Sequence, residues 1–82
     1  HYVGEVVAGG VDGRSVVEVK NKFQVGDQIE VIHPSGNHTV TLEHMRNLDG
    51  EPITVAPGSP LQVRIPLEER YSGALLARLI PA

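Results

Sequence analysis

The sequence predicts an all-β domain: a small closed or partly open β-barrel of roughly six to seven mostly antiparallel strands. Three observations lead there. Nine Gly and six Pro break the chain at intervals of roughly eight to twelve residues, the turn spacing of sandwiches and barrels. Short runs rich in Val, Ile, Leu and Thr fill the gaps, as half-buried strands require. Several of these runs alternate apolar and polar residues, and a period of two sends successive side chains to opposite faces of a sheet.

The first run is Tyr2 to Ala8, ended by Gly9-Gly10. Asp12-Gly13 then supplies residues that tolerate the positive φ of a tight hairpin. In the second run, Arg14 to Lys20, Ser15, Val17 and Val19 point one way. Arg14, Glu18 and Lys20 point the other, with Val16 as an apolar exception on the outer face. The third run, Gln28 to His33, places Ile29 and Val31 inward. Pro34-Ser35-Gly36-Asn37 closes it, with Pro presetting φ and Gly free to go left-handed. The return run is His38 to Met45, with Val40 and Leu42 inward. Leu48-Asp49-Gly50 turns the chain again, and Ile53 to Ala56 is a short strand. Pro57-Gly58-Ser59-Pro60 cannot sit in the middle of a sheet. Leu61, Val63 and Ile65 then line one face. Leu75, Leu76, Leu79 and Ile80 fit a helical stripe about as well as a strand, and Glu68-Glu69 suits a helix N-terminus. Three features favour a strand over Gly73 to Ile80: Gly73 is a poor helix former, Pro81 ends the run, and a small sheet needs a strand to cover its first edge.

At 82 residues the chain is expected to be a single domain over residues 1–82, burying roughly 60 to 65% of its unfolded surface. It has no Cys, so neither a disulfide framework nor a thiolate site is available. That composition fits a reducing compartment, and a cytoplasmic location is expected. No apolar run approaches the ~20 residues of a membrane span, and no leader pattern opens the chain. Ten acidic and seven basic residues give a formal charge of −3. This balance argues against strong independent binding to nucleic acid, whose affinity comes largely from neutralised phosphates. It leaves room for a local basic patch.

No catalytic constellation is legible. His33, His38 and His44 are five and six residues apart, which matches no zinc spacing. His33 and His44 continue the inward parity of their runs, so they read as barrel-end histidines satisfied by backbone carbonyls, with His38 at a turn. Glu43 and His44 are adjacent, so on a strand they face opposite ways. Ser35, Ser59 and Ser72 sit in or near turns, outside any G-x-S-x-G context. No metal or cofactor is expected. A barrel of this size is filled by its own side chains, and the isolated chain reads as non-catalytic. The basic cluster with an aromatic neighbour is Lys20, Asn21, Lys22 and Phe23. It is either a contact patch for RNA phosphate and a stacked base, or for a partner domain, or else a solvated strand end with Phe23 folded back to cap the barrel. Arg14, Lys20 and Arg64 share an outer face if their strands are neighbours, with Glu5, Glu18 and Glu30 diluting the field.

Five strings in order carry a family resemblance: V-E-V-K-N-K-F-Q-V-G-D from Val17 to Asp27, T-L-E-H-M from Thr41 to Met45, Asp49-Gly50, Ala56-Pro57-Gly58-Ser59, and Val63 to Pro66. Together they resemble the C-terminal domain of the collagenase-like U32 peptidase family. The string F-x-V-G-D-x-I-E-V is also similar to a strand entry in the second domain of translation elongation factors, a small barrel. The family resemblance implies an upstream catalytic-type domain of peptidase character, and therefore a hydrolase elsewhere in a longer protein. Some members are similar to proteins needed for hydroxylating a wobble uridine in tRNA. On that basis this chain is an accessory module that docks a polypeptide or a tRNA, or packs on its upstream domain. Neither a membrane nor DNA is expected as a partner. The surfaces singled out are Lys20, Asn21, Lys22 and Phe23, and the strand end Glu43, His44 and Met45. Two alternatives stand beside this reading. His44 or Glu43 completes a hydrolase site in the upstream domain, or the module oligomerises through a strand edge or an apolar strip such as Val16 and Ile32.

Overall fold

The computed structural model describes residues 1–59 and 61–80. Ten strands form in chain order: β1 (Tyr2–Val11), β2 (Arg14–Val19), β3 (Phe23–Gln24), β4 (Gln28–Ile32), β5 (His38–Thr41), β6 (Met45–Asn47), β7 (Pro52–Ile53), β8 (Val55–Ala56), β9 (Leu61–Pro66) and β10 (Leu75–Leu79). A single turn of 3-10 helix, Glu69–Tyr71, precedes β10. Eight strands make one curved sheet in the order β5-β4-β10-β1-β2-β9-β6-β7, and β3 pairs with β8 separately. Every pairing is antiparallel. The result is the expected all-β architecture, a partly open half-barrel rather than a closed one.

The strands with clean alternation fold as their pattern dictates. In β2, Ser15, Val17 and Val19 are buried while Arg14, Val16 and Glu18 are half-buried on the outer side. In β4, Ile29 and Val31 are buried. The hairpin between β1 and β2 turns at Asp12 and Gly13, both with positive φ (53° and 71°), as a two-residue primed turn requires. The Gly73 to Ile80 run is a strand, and β10 pairs with both β1 and β4. Covering the first edge decided this, because an amphipathic stripe alone fits either element.

Three boundaries differ from the sequence reading. The first strand does not stop at Gly9-Gly10. It continues to Val11 through register shifts that begin after Val6, because a bulge absorbs what the glycines signal. The run His38 to Met45 is not one strand. It breaks after Thr41, and Leu42 turns to bond with the Gly26-Asp27 corner: Gly26 N donates to Leu42 O at 2.8 Å and Leu42 N donates to Asp27 O at 2.9 Å. Likewise Ile53 to Ala56 splits, β7 joining β6 and β8 joining β3. Between them the Thr54 carbonyl accepts from Val25 N at 2.9 Å. Of the Pro57 to Pro60 loop, Pro60 lies outside the described residues, as does Pro81.

The core fills the concave side of the sheet with Val3, Val6, Val17, Val19, Ile29, Val31, Val63, Ile65 and Leu76, closed by Phe23, Leu42, Met45 and Tyr71. Ser15 is the polar member of this interior. Its Oγ donates to Leu67 O at 2.8 Å, clipping the chain beyond β9 onto β2. Ser15→Ala leaves that carbonyl without its partner, and a buried unpaired group costs about 1–3 kcal/mol. Urea unfolding of this variant is expected to show a loss in that range with an unchanged slope. A loss below about 0.5 kcal/mol would mean that water replaces the hydroxyl.

Candidate functional site

The Lys20 to Phe23 turn leaves β2 and is tied to β1 by its backbone. Lys20 N and Asn21 N both donate to Val3 O, at 2.8 and 3.3 Å, and Asn21 Nδ2 donates to Tyr2 O at 2.7 Å. Asn21 is therefore a structural clamp. Lys20 Nζ lies 2.8 Å from Glu18 Oε1. The hydrogen bond to that carboxylate, with its charge, raises the pKa of the Lys20 ammonium above its ordinary value. Lys22 is exposed and makes no ion pair among the described residues. Phe23 is 1% exposed and belongs to the core. It caps the barrel end, so its face is not available to stack a base.

Beside this turn lies a depression of about 210 Å³ lined by Lys22, Phe23, Gln24, Asp27 and Arg78. Asp27 organises it. One carboxylate oxygen accepts from Gln24 N at 2.9 Å and lies 3.2 Å from Arg78 Nε. That approach is an ion pair by distance, but the N–H is not aligned for a hydrogen bond, and Nε has no other partner. Sequence reasoning missed Arg78. The signal was its polar position within an apolar run, which becomes meaningful only once β10 is known to run beside β4, pairing Arg78 with Ile29 and Leu79 with Gln28.

The second predicted surface comes to the same end of the barrel, through the Leu42 bonds to Gly26 and Asp27. Its parity is not that of a strand. Leu42 and Met45 are buried, while Glu43 and His44 are both exposed. His44 is thus not an inward barrel-end residue, because the break after Thr41 resets the alternation. Met45, 1% exposed, is core rather than contact surface.

The remaining histidines gather elsewhere. His33 and His38 each approach the Tyr71 ring edge-on, with centroids 5.8 and 5.4 Å away, and the Arg70 guanidinium carbon lies 4.8 Å from the same centroid. His33 Nδ1 pairs with Ser35 Oγ at 2.7 Å instead of with a backbone carbonyl. A cleft of about 460 Å³ opens beside them between His38, Thr39, Pro66, Arg70 and Tyr71. Among the described residues no three His, Cys, Asp or Glu side chains converge as metal ligands would.

Residues 1–78 match the model of the peptidase family U32 C-terminal domain, and the chain belongs to that family. It is 43% identical over 79 residues to tRNA hydroxylation protein P of Escherichia coli (strain K12), covering 94% of this chain and 17% of that protein. It is 35% identical over 68 residues to tRNA hydroxylation protein P of Haemophilus influenzae, covering 80% of this chain and 15% of that protein. The chain therefore spans about a sixth of the length of these curated relatives. Among solved structures, the crystal structure of the C-terminal domain of a U32-family protein from Geobacillus thermoleovorans superposes with a TM-score of 0.86 at 21% identity. The match covers 96% of this chain and 92% of that one.

Proposed function

We propose that this domain is a non-catalytic docking module that helps a longer U32-family protein hold a tRNA substrate. The observation that carries the reading is the 43% identity to tRNA hydroxylation protein P across 94% of the chain. The geometry agrees with it. The exposed side chains at the turn end include Lys20, Lys22, Glu43 and His44, and the hydrogen bond among them that involves a titratable pair is the Lys20–Glu18 contact. A polypeptide substrate, or packing on the upstream domain, is the competing use of the same surface. Among the described residues no helix is long and apolar enough to cross a membrane.

The test is an amide-resolved NMR titration of the labelled chain with a tRNA anticodon stem-loop at physiological salt. Shifts that saturate and weaken as salt rises are the expected result, since phosphate contacts release counterions. A spectrum unchanged at high RNA concentration removes tRNA docking by this domain and leaves polypeptide docking or intramolecular packing.

One observation favours the alternative that Glu43 or His44 completes a hydrolase site upstream: both side chains are free to project from the domain. Deleting the domain from its parent separates the two readings. Loss of affinity with retained turnover supports docking, whereas loss of turnover at saturating substrate supports a completed active site. The apolar strip offered for oligomerisation is weaker, because Val16 and Ile32 are half-buried and lie on β2 and β4, with β1 and β10 between them.

A further inference from the structure

The outer face of the sheet has a feature that the turn-end surface does not use. Val16 on β2 pairs with Arg64 on β9, and Arg64 pairs directly with Arg46 on β6. Directly opposed residues of an antiparallel pair share a face, so Arg46 and Arg64 stand side by side. Arg14 pairs with Pro66, which makes it the diagonal neighbour of Arg64 on that face. Three arginines from three adjacent strands therefore form one cluster. The ion pairs among the described residues are Lys20–Glu18, Arg70–Glu68 and Arg78–Asp27, so none of the three has an acidic partner. Asp12, Asp49 and Glu51 lie in the flanking turns without reaching them. Arg46 is held in place by a bond from Nη1 to Gly50 O at 2.8 Å. Arg14 and Arg64 border a small notch of about 50 Å³ floored by Ala8, Gly9 and Val16.

Like charges placed opposite each other destabilise a sheet, and Glu18, the other diagonal neighbour of Arg64 on this face, is engaged by Lys20. The negative charge of the outer face is gathered at its other end, where Glu5 pairs with Glu18 and Lys20 joins them. The net charge of −3 thus coexists with a local cluster of three arginines. Guanidinium groups present rigid forks of donors that match phosphate oxygens two at a time. We propose that Arg14, Arg46 and Arg64 form a binding site for the phosphodiester backbone of tRNA, on the outer face of β2, β9 and β6. This rests on the tRNA-docking reading above and assigns it a location that the basic turn does not share.

The experiment compares tRNA affinity across a salt series for the parent chain, the triple variant R14Q/R46Q/R64Q, and the turn variant K20Q/K22Q. An unmodified tRNA transcript is the probe, and a polyglutamate peptide is the control polyanion. The triple variant is expected to bind at least ~10-fold more weakly at ~0.1 M salt, and its slope of log K against log salt to fall by about 2 to 3. R46Q also removes the bond to Gly50 O, so affinities are compared well below the thermal midpoint of each variant, where circular dichroism shows the native fold and weakened binding is not unfolding. If the triple variant binds as the parent does while K20Q/K22Q weakens, the arginine site is wrong and tRNA docking at the turn stands. If the parent binds no tRNA even at low salt, both readings fall. Binding to polyglutamate without binding to tRNA also overturns the site, in favour of an acidic protein surface.

Discussion

Phe23→Ala is expected to destabilise the domain by about 3–5 kcal/mol. The ring is 1% exposed and belongs to a two-residue strand that pairs with Val55 and Ala56, so its removal leaves a cavity at the closed end of the core. It is also the one phenylalanine of the chain, and no second aromatic of that kind shares the load. A domain of this length has a total stability of roughly 4–12 kcal/mol, at ~0.05–0.15 kcal/mol per residue. The loss is about a quarter or more of that total, with the Lys20 to Asp27 corner expected to be the first segment to lose protection in hydrogen exchange. Chemical denaturation monitored by circular dichroism reads the loss. A change within about 0.5 kcal/mol, as for a surface side chain, would show that the ring lies outside the core and is free to serve as a stacking platform.

Leu76→Ala is expected to cost about 2–5 kcal/mol, whereas Leu75→Ala one residue away is expected to stay within about 0.5 kcal/mol. Leu76 is fully buried and Leu75 is 40% exposed. The contrast follows from β10 being a strand, which sends neighbours to opposite faces. β10 also joins the half-barrel together, lying between β1 and β4 and pairing Leu76 with Gly4 and Val31. Gly4 has no room to compensate. A Cβ there would meet Val17 Cγ1 at 2.7 Å and Glu18 O at 2.8 Å, both on β2, so β1 and β2 are already at closest approach. Equal losses for Leu75 and Leu76 would instead support the helical stripe.

How much was legible divides along a physical line. Where alternation was unbroken, burial followed from the residues alone: Ser15, Val17 and Val19 in β2, Ile29 and Val31 in β4, Val63 and Ile65 in β9. The Asp12-Gly13 hairpin was equally plain, since few residues accept its dihedral angles. The family also followed from strings in register. By contrast, the Val40 and Leu42 alternation looked set to continue through His44, and nothing in those residues announces that Leu42 will turn to bond with Gly26 and Asp27. The burial of Phe23, the meeting of His33 and His38 on Tyr71, and the pairing of Arg78 with Asp27 were hidden in the same way.

The arginine cluster shows both sides of that line. That Arg14 and Arg64 point away from the core was already decided by their own strands, because side-chain parity is a property of each residue and its immediate neighbours. That they stand together, and that Arg46 joins them, was decided by strand order and register. Those depend on pairings between residues far apart in the chain, such as Val16 with Arg64. Local patterns set the faces of the cleanly alternating strands, the turns and the family. Only the tertiary structure determined which charges share a surface, because that is a matter of which strands become neighbours, and no local pattern records it.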